Sequence, residues 1–260
     1  MCNKTKKTIT FVTKNYRLFI GTHLSDTAVP YWPLQTVPIR PLQAVPLHRC
    51  LQGLNCLDLS YRFIKDDAPV FHHTRYRNEM IKICTTPYIA VWDVDVVAPL
   101  NQLSCAVDKL RSKEALVTWP YDGICHFVQE KTGNRFIATG DIEVLTSRSE
   151  DVHHHVLSGF YNGGIFFADR EKYMEAGMEN ENIYGWGPED VERLKRITIL
   201  GMLAHRVRGD LYHLWHPRGI NRMRANPERE MRCLNEYLKV CSYSKEELLN
   251  YIKTWQWILK

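Results

Sequence analysis

The chain alternates between short runs of β-branched and aromatic residues and longer stretches in which apolar residues recur every three to four positions. The short runs predict strands at residues 8–13, 57–64, 88–92, 115–119, 164–168 and 203–208. The longer stretches predict helices at residues 75–84, 100–112, 170–176, 188–200, 227–240 and 244–257. Strands that alternate with helices favour an α/β fold whose central sheet is mostly parallel and is covered by helices.

Two segments interrupt this alternation. Residues 29–46 carry prolines at positions 30, 33, 38, 41 and 46, which predict an extended loop because proline fixes φ and removes a backbone donor. Residues 120–160 show no regular period, and the three consecutive histidines at 153–155 are predicted to lie in a solvated loop. Ligands of parallel sheets bind beyond the carboxyl ends of the strands, so candidate chemistry is expected after the strands.

Composition and charge narrow the class of protein. The 260 residues are enough for a single α/β domain with its own core. A hydrophobic fraction of 45% and a charged fraction of 24% are typical of a soluble globular protein. The net charge of +5 suits a protein that handles anionic ligands, but it is too small to indicate binding of nucleic acid.

The cysteines and the N-terminus bear on location. The eight cysteines are scattered, with no Cys-x-x-Cys pair and no zinc-ligand spacing. Neither a signal peptide nor an apolar run of the ~20 residues that a spanning helix needs is evident. We therefore expect a cytoplasmic protein with reduced thiols.

Two acids follow the apolar strand predicted at 88–92. Asp93 and Asp95 are two positions apart, so along a continued strand they would point to the same face. Paired carboxylates at the end of a buried strand repel each other unless a cation compensates them. A divalent ion bound to a diphosphate fits that need, although an Asp-x-Asp alone is also common as surface decoration.

Two glycine-containing segments follow. Asn162, Gly163 and Gly164 precede a strand, where paired glycines either bring the backbone close to a ligand or make a plain turn. Trp186 lies between two glycines, as expected of a partly exposed aromatic that stacks on sugar rings. Glu189 and Asp190 then fall in the first turn of a predicted helix, where capping explains acids and the helix dipole favours an ionised base.

Histidines follow the last predicted strand. Either His213 or His216 could join the aspartates on a metal ion, although histidine is also common as a surface residue. Seven arginines lie between positions 206 and 232, which suits a phosphate-facing loop or a surface attracted to anionic glycan or membrane.

These segments, in this order and at these separations, resemble the catalytic domain of β-1,4-galactosyltransferases and related bacterial enzymes, including chondroitin-type polymerases. The resemblance spans about residues 75–218, and its most specific part is Asn-Gly-Gly-Ile-Phe-Phe followed by Gly-Trp-Gly-Pro-Glu-Asp. Pro188 departs from the glycine often found there, and the metal-loop methionine of animal members is not evident. The resemblance implies a GT-A glycosyltransferase fold.

The resemblance also implies roles for individual residues. Asp95 would bind Mn²⁺ or Mg²⁺, with His213 completing the site and His216 as the alternative. Asp190 would be the catalytic base, and Glu189 and Trp186 would contact the acceptor sugar. The segments that would bind the UDP-sugar contribute Asp93, Arg75, Arg77, Asn78, Tyr161, Gly163 and Gly164.

The activity implied by the resemblance is an inverting transfer of galactose or N-acetylgalactosamine from a UDP-sugar to a glycan or glycolipid, in surface polysaccharide synthesis. A single domain of 1–260 is expected, with a nucleotide-sugar-binding half at about 1–100, an acceptor half at about 101–226 and C-terminal helices at 227–260. Peripheral association with the inner membrane face is the accompanying expectation.

Two other classes of function are compatible with some of these residues. A haloacid-dehalogenase-like phosphatase would use Asp93 as a nucleophile with Mg²⁺, but its motif usually follows the first strand and would leave the Trp-Gly-Pro-Glu-Asp block without a role. A non-catalytic sugar-binding protein on the same fold is the other alternative, although the charged groups expected of an enzyme are all present.

Overall fold

A computed structural model of the protein describes residues 6–8, 58–60, 70–93, 95–147, 153–157, 161–216 and 226–259. The predicted proline-rich loop at 29–46 lies outside these residues. The strands among them are β1 (Lys6–Thr8), β2 (Asp58–Ser60), β3 (Tyr88–Trp92), β4 (Val96–Val97), β5 (Val117–Trp119), β6 (Cys125–Val128), β7 (His153–Leu157), β8 (Ile165–Asp169), β9 (Ala204–Arg206) and β10 (Leu211–His213).

The helices outside residues 120–160 lie close to their predicted positions, whereas no helix was predicted within that segment. Within the described residues they are α1 (His73–Ile83), α2 (Leu100–Arg111), α3 (Glu130–Thr139), α4 (Glu143–Thr146), α5 (Arg170–Glu175), α6 (Glu189–Leu200), α7 (Pro227–Ser242), α8 (Lys245–Lys253) and α9 (Gln256–Leu259). The helix predicted at 244–257 is therefore two helices, which a break at Thr254 and Trp255 separates.

The central sheet confirms the α/β prediction and adds one reversal. Its strand order is β3-β8-β5-β9. Strand β8 is antiparallel to both β3 and β5, whereas β5 and β9 are parallel. Three of the four strands therefore run in one direction, and β8 is inserted between two of them in the opposite direction. Helix α2 packs on this sheet with Leu103, Ala106, Val107 and Leu110, which recur at helical spacing.

A second sheet, with the order β4-β10-β6-β7, corrects the prediction for residues 120–160. The histidines at 153–155 belong to strand β7, which pairs antiparallel with β6, and not to a solvated loop. Pairing with a neighbouring strand outweighs the low strand propensity of this polar run. Strands β1 and β2 form a separate parallel pair, and of the strand predicted at 8–13 only Thr8 lies within the described residues.

The core joins the central sheet to the C-terminal helices. One hydrophobic cluster extends from Phe71 to Trp257, and Trp255 and Trp257 close it at the C-terminal end. A smaller cluster lies under α3 and α4. In the part of the chain that the structure describes, no helix has the length and apolar character needed to cross a bilayer. The predicted division of the domain into a nucleotide-sugar-binding half, an acceptor half and C-terminal helices, with boundaries at about residues 100 and 226, stays a prediction.

Helix α6 buries a face that carries charge. Its buried positions include Glu192, Arg193, Arg196, Ile197 and Leu200, at the spacing of a normal core-facing stripe. Burial of ions is costly unless each is paired, so this face requires partners in the surrounding elements. Those partners, and the site that they surround, lie at the N-terminal end of α6.

Candidate functional site

Asp95, His213 and His216 come together in a cluster that could hold a metal ion. One potential ligand atom from each residue lies within 4.8 Å of those of the other two. Nε2 of His216 is 3.2 Å from Oδ2 of Asp95, and Nε2 of His213 is 3.8 Å from Oδ1. All three residues are only partly exposed. The structure thus brings together the aspartate and both of the histidines between which the sequence did not decide.

The pairing of β4 with β10 explains this placement. His213 is the register partner of Val96, the residue after Asp95. The backbone N–H of Leu214 donates to the Asp95 carbonyl at 2.7 Å, which fixes the turn before β4 against the end of β10. Nδ1 of His213 lies 2.9 Å from the Leu214 carbonyl oxygen, which can only accept, so the proton belongs on Nδ1. The Nε2 lone pair then faces the aspartate, as a ligand requires.

The chemistry of this donor set fits a divalent metal. Two imidazoles and one carboxylate suit Mn²⁺, Fe²⁺, Co²⁺ or Zn²⁺, and such a site leaves positions for substrate oxygens. Cys125 is not among the ligand atoms that lie within 4.8 Å of one another. Burial and the charge of Asp95 raise the pKa of its thiol to about 12.

Asp93 has a different partner from Asp95. Strand β3 ends at Trp92, and the Val96 N–H then donates to the Asp93 carbonyl at 3.1 Å, which closes a turn between the two strands. The Asp93 carboxylate pairs with Arg77 at 3.2 Å, and the backbone N–H of Asp93 donates to the Gly164 carbonyl at 2.7 Å. The two aspartates are therefore not alternate residues of one strand, and each makes its own ion pair.

Asp190 lies against the backbone of Gly163. A Cβ added at Gly163 would overlap Oδ2 of Asp190 and lie 3.3 Å from the Tyr161 hydroxyl, so only glycine allows this close approach. The carboxylate is about one-third exposed, and its Oδ1 accepts from Arg193 at 2.8 Å. Oδ2 therefore remains available to a ligand that approaches over the glycine.

The environment of Asp190 raises the pKa of its carboxyl. Burial is the largest cause, and the negative charges of Glu189 and Asp93 act in the same direction. Arg193 and Arg77 oppose it. The sequence set the helix dipole, which favours the ionised form of Asp190, against nearby apolar surface, which opposes it; in the structure the pKa is raised, which suits proton transfer.

The Tyr161–Gly164 segment is held by groups that the sequence did not identify. The Tyr121 hydroxyl donates to the Gly163 carbonyl at 2.7 Å, and the Trp119 indole donates to the Asn162 carbonyl at 3.1 Å. Arg206 donates to the Tyr161 carbonyl at 3.2 Å and to the Asn162 side chain. Gly164 has φ +83° and packs closely on Val96. The segment therefore links Asp190 on one side with the strand after Asp95 on the other.

Trp186 and Glu189 pack against the start of α1. The Trp186 ring is half-buried, and its centroid is 6.1 Å from that of His73. Oε1 of Glu189 lies 3.0 Å from Nε2 of His73, and Oε2 accepts from the Gly187 N–H at 3.1 Å. Both carboxylate oxygens of Glu189 are thus engaged by the chain itself, and the residue is buried.

Arg75, Arg77 and Asn78, which were predicted to bind the UDP-sugar, lie in two different environments. Arg75 is exposed and pairs with Glu79 on the surface of α1. Arg77 and Asn78 are buried instead, and neither faces an open surface. The Asn78 side chain holds both the N–H and the carbonyl of Glu179, at 2.8 and 2.9 Å. Arg77 contacts the site through Asp93, whereas Arg75 lies outside the cluster.

Glu179 and Arg193 are the main site residues that sequence reasoning missed. Arg193 donates to both oxygens of Glu179, at 2.8 and 2.6 Å, and Arg77 donates to Glu179 at 3.4 Å. Both Glu179 and Arg193 are about 1% exposed. Arginines three and four positions after the acids of α6, in phase with Ile197 and Leu200, were the available signal for a buried charged face.

The ion pairs of Glu179 should make the free energy of unfolding of the protein depend on pH. Burial raises its pKa, but the charges and hydrogen bonds of Arg193, together with Arg77 and Tyr173, outweigh burial and hold the pKa well below its usual range. A lowered pKa means that the unfolded chain binds the proton first, so stability is lost as pH falls from about 5 to about 2.

Glu179→Gln should therefore lower the free energy of unfolding at neutral pH by about 3–5 kcal/mol, because it leaves buried arginine charge unpaired. It should also flatten the acid dependence by up to about 1.4 kcal/mol per pH unit. Denaturant unfolding at a series of pH values measures both. Glu192→Gln is the matched control, because Glu192 is equally buried and paired with Arg196, yet burial raises its pKa. Equal flattening in both variants would contradict the assignment.

Comparison with known families places part of this site in a recognised segment. Residues 145–218 match the family model described as the N-terminal domain of galactosyltransferase. This segment contains Tyr161–Gly164, Trp186, Asp190 and both histidines of the metal-ligand cluster. The chain therefore resembles galactosyltransferases in the part that builds the site. No curated protein matches the chain.

Solved structures of glycosyltransferases are among those that match the chain in part. The catalytic domain of Drosophila β1,4-galactosyltransferase 7 in complex with xylobiose is 20% identical, with 78% of this chain and 65% of that chain covered and a TM-score of 0.34. GalNAc-T7 with UDP, GalNAc and Mn²⁺ is 12% identical, with 82% and 42% covered and a TM-score of 0.48. A mutant of the Drosophila enzyme in complex with manganese, UDP-Gal and xylobiose is 19% identical, with 78% of this chain and 65% of that chain covered and a TM-score of 0.34.

These matches have low TM-scores, and this chain spans 65% of the Drosophila chains and 42% of GalNAc-T7.

Proposed function

We propose that the protein is a GT-A glycosyltransferase that uses a divalent metal to transfer a hexose, galactose or N-acetylgalactosamine, from a UDP-sugar to a carbohydrate acceptor. The observation that carries the proposal is the Gly163–Gly164 backbone, which lies against Asp190 on one side and Val96 on the other. This backbone lies between the Asp190 carboxylate, which is suited to proton transfer, and β4, the strand that follows the metal-ligand residue Asp95. Transfer from a nucleotide diphosphate needs both functions close together.

The metal-ligand cluster supports the donor half of the reaction. Asp95, His213 and His216 would hold Mn²⁺, or Mg²⁺ as the harder alternative, and the metal would offset the charge that develops on the leaving diphosphate. Asp93, paired with Arg77, would line the ribose and diphosphate side of the same turn. Tyr161, whose hydroxyl lies near Gly163, would limit the room around the donor sugar.

Asp190 supports the acceptor half. As general base, its Oδ2 would take the proton from an acceptor hydroxyl that approaches over Gly163, while that oxygen attacks the anomeric carbon from the face opposite to the diphosphate. This single displacement inverts the configuration at the anomeric carbon. Trp186, half-buried at the edge of the site, would pack on the acceptor sugar. Glu189 would contact the acceptor beside it, after exchanging its contact with His73 for one with the sugar.

The acceptor is proposed to be a glycan or glycolipid, in the synthesis of a surface polysaccharide. That part of the proposal comes from the sequence resemblance, as does the contact with the inner face of a membrane, whereas the cytoplasmic location is proposed from the scattered cysteines. The phosphatase alternative loses support, because Arg77 pairs with the Asp93 carboxylate that would have to act as the nucleophile.

The test is the release of UDP from a panel of UDP-sugars, with and without Mn²⁺ and with oligosaccharide acceptors. We expect Mn²⁺-dependent release from UDP-galactose or UDP-N-acetylgalactosamine, because slow hydrolysis exposes the donor even before the acceptor is known. The same panel with p-nitrophenyl phosphate tests the phosphatase alternative. No release from any donor, together with no Mn²⁺-dependent binding of UDP, would reject the proposed function.

A further inference from the structure

We propose that Arg193, itself held by Glu179, is a positioning residue that fixes the orientation and charge of the Asp190 carboxylate for proton transfer. The inference rests on the proposed function in one respect only, since it takes Asp190 as the general base. The Arg193 side chain is about 1% exposed and does not reach a ligand itself, so it acts through Asp190.

The contacts of Arg193 determine the direction in which Asp190 points. Nη1 donates to Oδ1 of Asp190 at 2.8 Å, while Nε and Nη2 form a two-point contact with the Glu179 carboxylate. A guanidinium bound at two points has no rotational freedom left, so its third donor is also fixed in space. Because Oδ1 is tied down in this way, Oδ2 is directed to the backbone of Gly163.

Glu179 in turn is held from three sides. Its backbone is bound by Asn78 of α1, and its carboxylate accepts from the Tyr173 hydroxyl and from Arg77. Arg77 also pairs with Asp93, which follows β3. A chain of alternating charges therefore runs from Asp93 through Arg77, Glu179 and Arg193 to Asp190. It joins the turn that leads to the metal-ligand cluster with the general base.

The charge of Arg193 opposes the groups that raise the pKa of the Asp190 carboxyl. The groups that act on Asp190 from its own helix and from the elements packed around it are Arg77, Asp93, Tyr121, Tyr161, Glu189 and Arg193. The two tyrosines stay neutral, because burial raises the pKa of each phenol well above its usual value. Loss of the Arg193 charge would leave Arg77 to oppose burial and two carboxylates, so the pKa of Asp190 would rise further.

A second pair on the same helix separates positioning from folding. Arg196 and Glu192 are as buried as Arg193 and Glu179, and their side chains pair at 2.9 Å. Arg196 otherwise donates to the carbonyls of Ala176 and Met178, and no contact of either residue with Asp190 is found among the described residues. Arg196 variants should therefore reproduce the loss of stability without the effect on Asp190.

The experiment compares Arg193→Gln and Arg193→Lys with Arg196→Gln and Arg196→Lys in the full-length protein. Sugar transfer is measured per folded molecule as kcat and donor KM across pH, and the Asp190 carboxyl is titrated by carbon-13 NMR, with Asp190→Asn for assignment. We expect Arg193→Gln to lower kcat by about 10²-fold at unchanged donor KM. The acid limb of the pH profile should move up by about one to three pH units. Arg193→Lys should restore most of the limb position, and both Arg196 variants should leave it in place.

Equal kcat values and equal pH profiles for Arg193→Gln and Arg196→Gln would overturn the inference and assign Arg193 a purely structural role. If Arg193→Gln does not fold, Arg193→Lys and the doubly neutral Arg193→Gln/Glu179→Gln variant carry the same comparison. If the wild type transfers no sugar, the NMR titration decides instead. A rise in the pKa of Asp190 in Arg193→Gln alone would support the positioning role while the proposed function fails, and an unmoved titration would reject both.

Discussion

Asp190→Asn is expected to lower sugar transfer by about 10²–10⁴-fold while Mn²⁺-dependent binding of UDP is unchanged. Asparagine has nearly the same shape and keeps an oxygen for Arg193, so the site retains its geometry. It cannot take a proton, and the acceptor hydroxyl then has to attack without a base. The measurement is kcat for transfer to a fixed acceptor, with UDP affinity from calorimetry on the same samples.

The sign of the pH dependence follows from the raised pKa of Asp190. The base acts only when ionised, so wild-type kcat/KM should fall as pH drops below a pKa that is higher than that of an ordinary aspartate. The Asp190→Asn variant should lose this acid limb together with its rate. Residual activity with the wild-type acid limb would show that another group is the base.

Gly163→Ala tests the same geometry without any change to the carboxylate. The added Cβ would overlap Oδ2 of Asp190, so the carboxylate has to turn away from the acceptor side. We expect a loss of roughly 10²-fold in kcat, as is typical of a displacement of about 1 Å at a reacting group. Gly133→Ala is the matched control, because its added Cβ would meet Leu214 only at an ordinary 3.8 Å. Equal activities for the two variants would contradict the placement of Asp190.

Asp95→Ala is expected to abolish both the binding of Mn²⁺ and the metal-dependent activity. Asp95 is the carboxylate to which both histidines turn their Nε2 atoms. Removal of a residue that only hydrogen-bonds to a metal ligand typically reduces metal affinity by about 10–100-fold. Removal of Asp95, which would be a ligand itself, should reduce the affinity by more than that. His213→Ala and His216→Ala should each give a large reduction, since each leaves two of the three ligands. Calorimetric titration with Mn²⁺, in parallel with UDP release, measures these effects.

Asp210→Asn is the matched control for the metal site. Asp210 also pairs with a histidine, His126, at 2.7 Å, and it lies just before β10, the strand that carries His213. No third ligand joins this pair among the residues that the structure describes. We expect near wild-type affinity for Mn²⁺ in Asp210→Asn. If Asp95→Ala bound Mn²⁺ as tightly as Asp210→Asn does, the proposed metal site would be wrong.

The local elements of the fold could be predicted from the sequence because their signals are local. Strand β3 has the predicted bounds, and α1, α2, α5 and α6 lie within two residues of them. Hydrophobic periodicity reports which residues of one segment face the core, and that information is present in the segment itself. Strand β7 was missed because pairing with β6, distant along the chain, supports a polar run that has no strand signal of its own.

The candidate site divides in the same way. The sequence by itself determined the types of residue that carry the chemistry, namely the acids after β3, the Gly-Gly and Gly-Trp-Gly segments with their acids, and the histidines His213 and His216. Only the tertiary structure decided which of them meet. It joins Asp95 with both His213 and His216, and it gives Asp93 to Arg77 instead. Strand register sets these distances, and register depends on neighbours remote in sequence.

The buried charges of α6 show most clearly what the sequence alone did not predict. Glu189, Asp190, Glu192, Arg193 and Arg196 indicated from the sequence only an acidic helix start followed by basic residues. Their function depends on whether that face is buried and on which charges lie opposite it, because a buried ion is stable only when it is paired. Glu179, fourteen residues before Arg193, supplies that pairing, and the folded chain alone places it there.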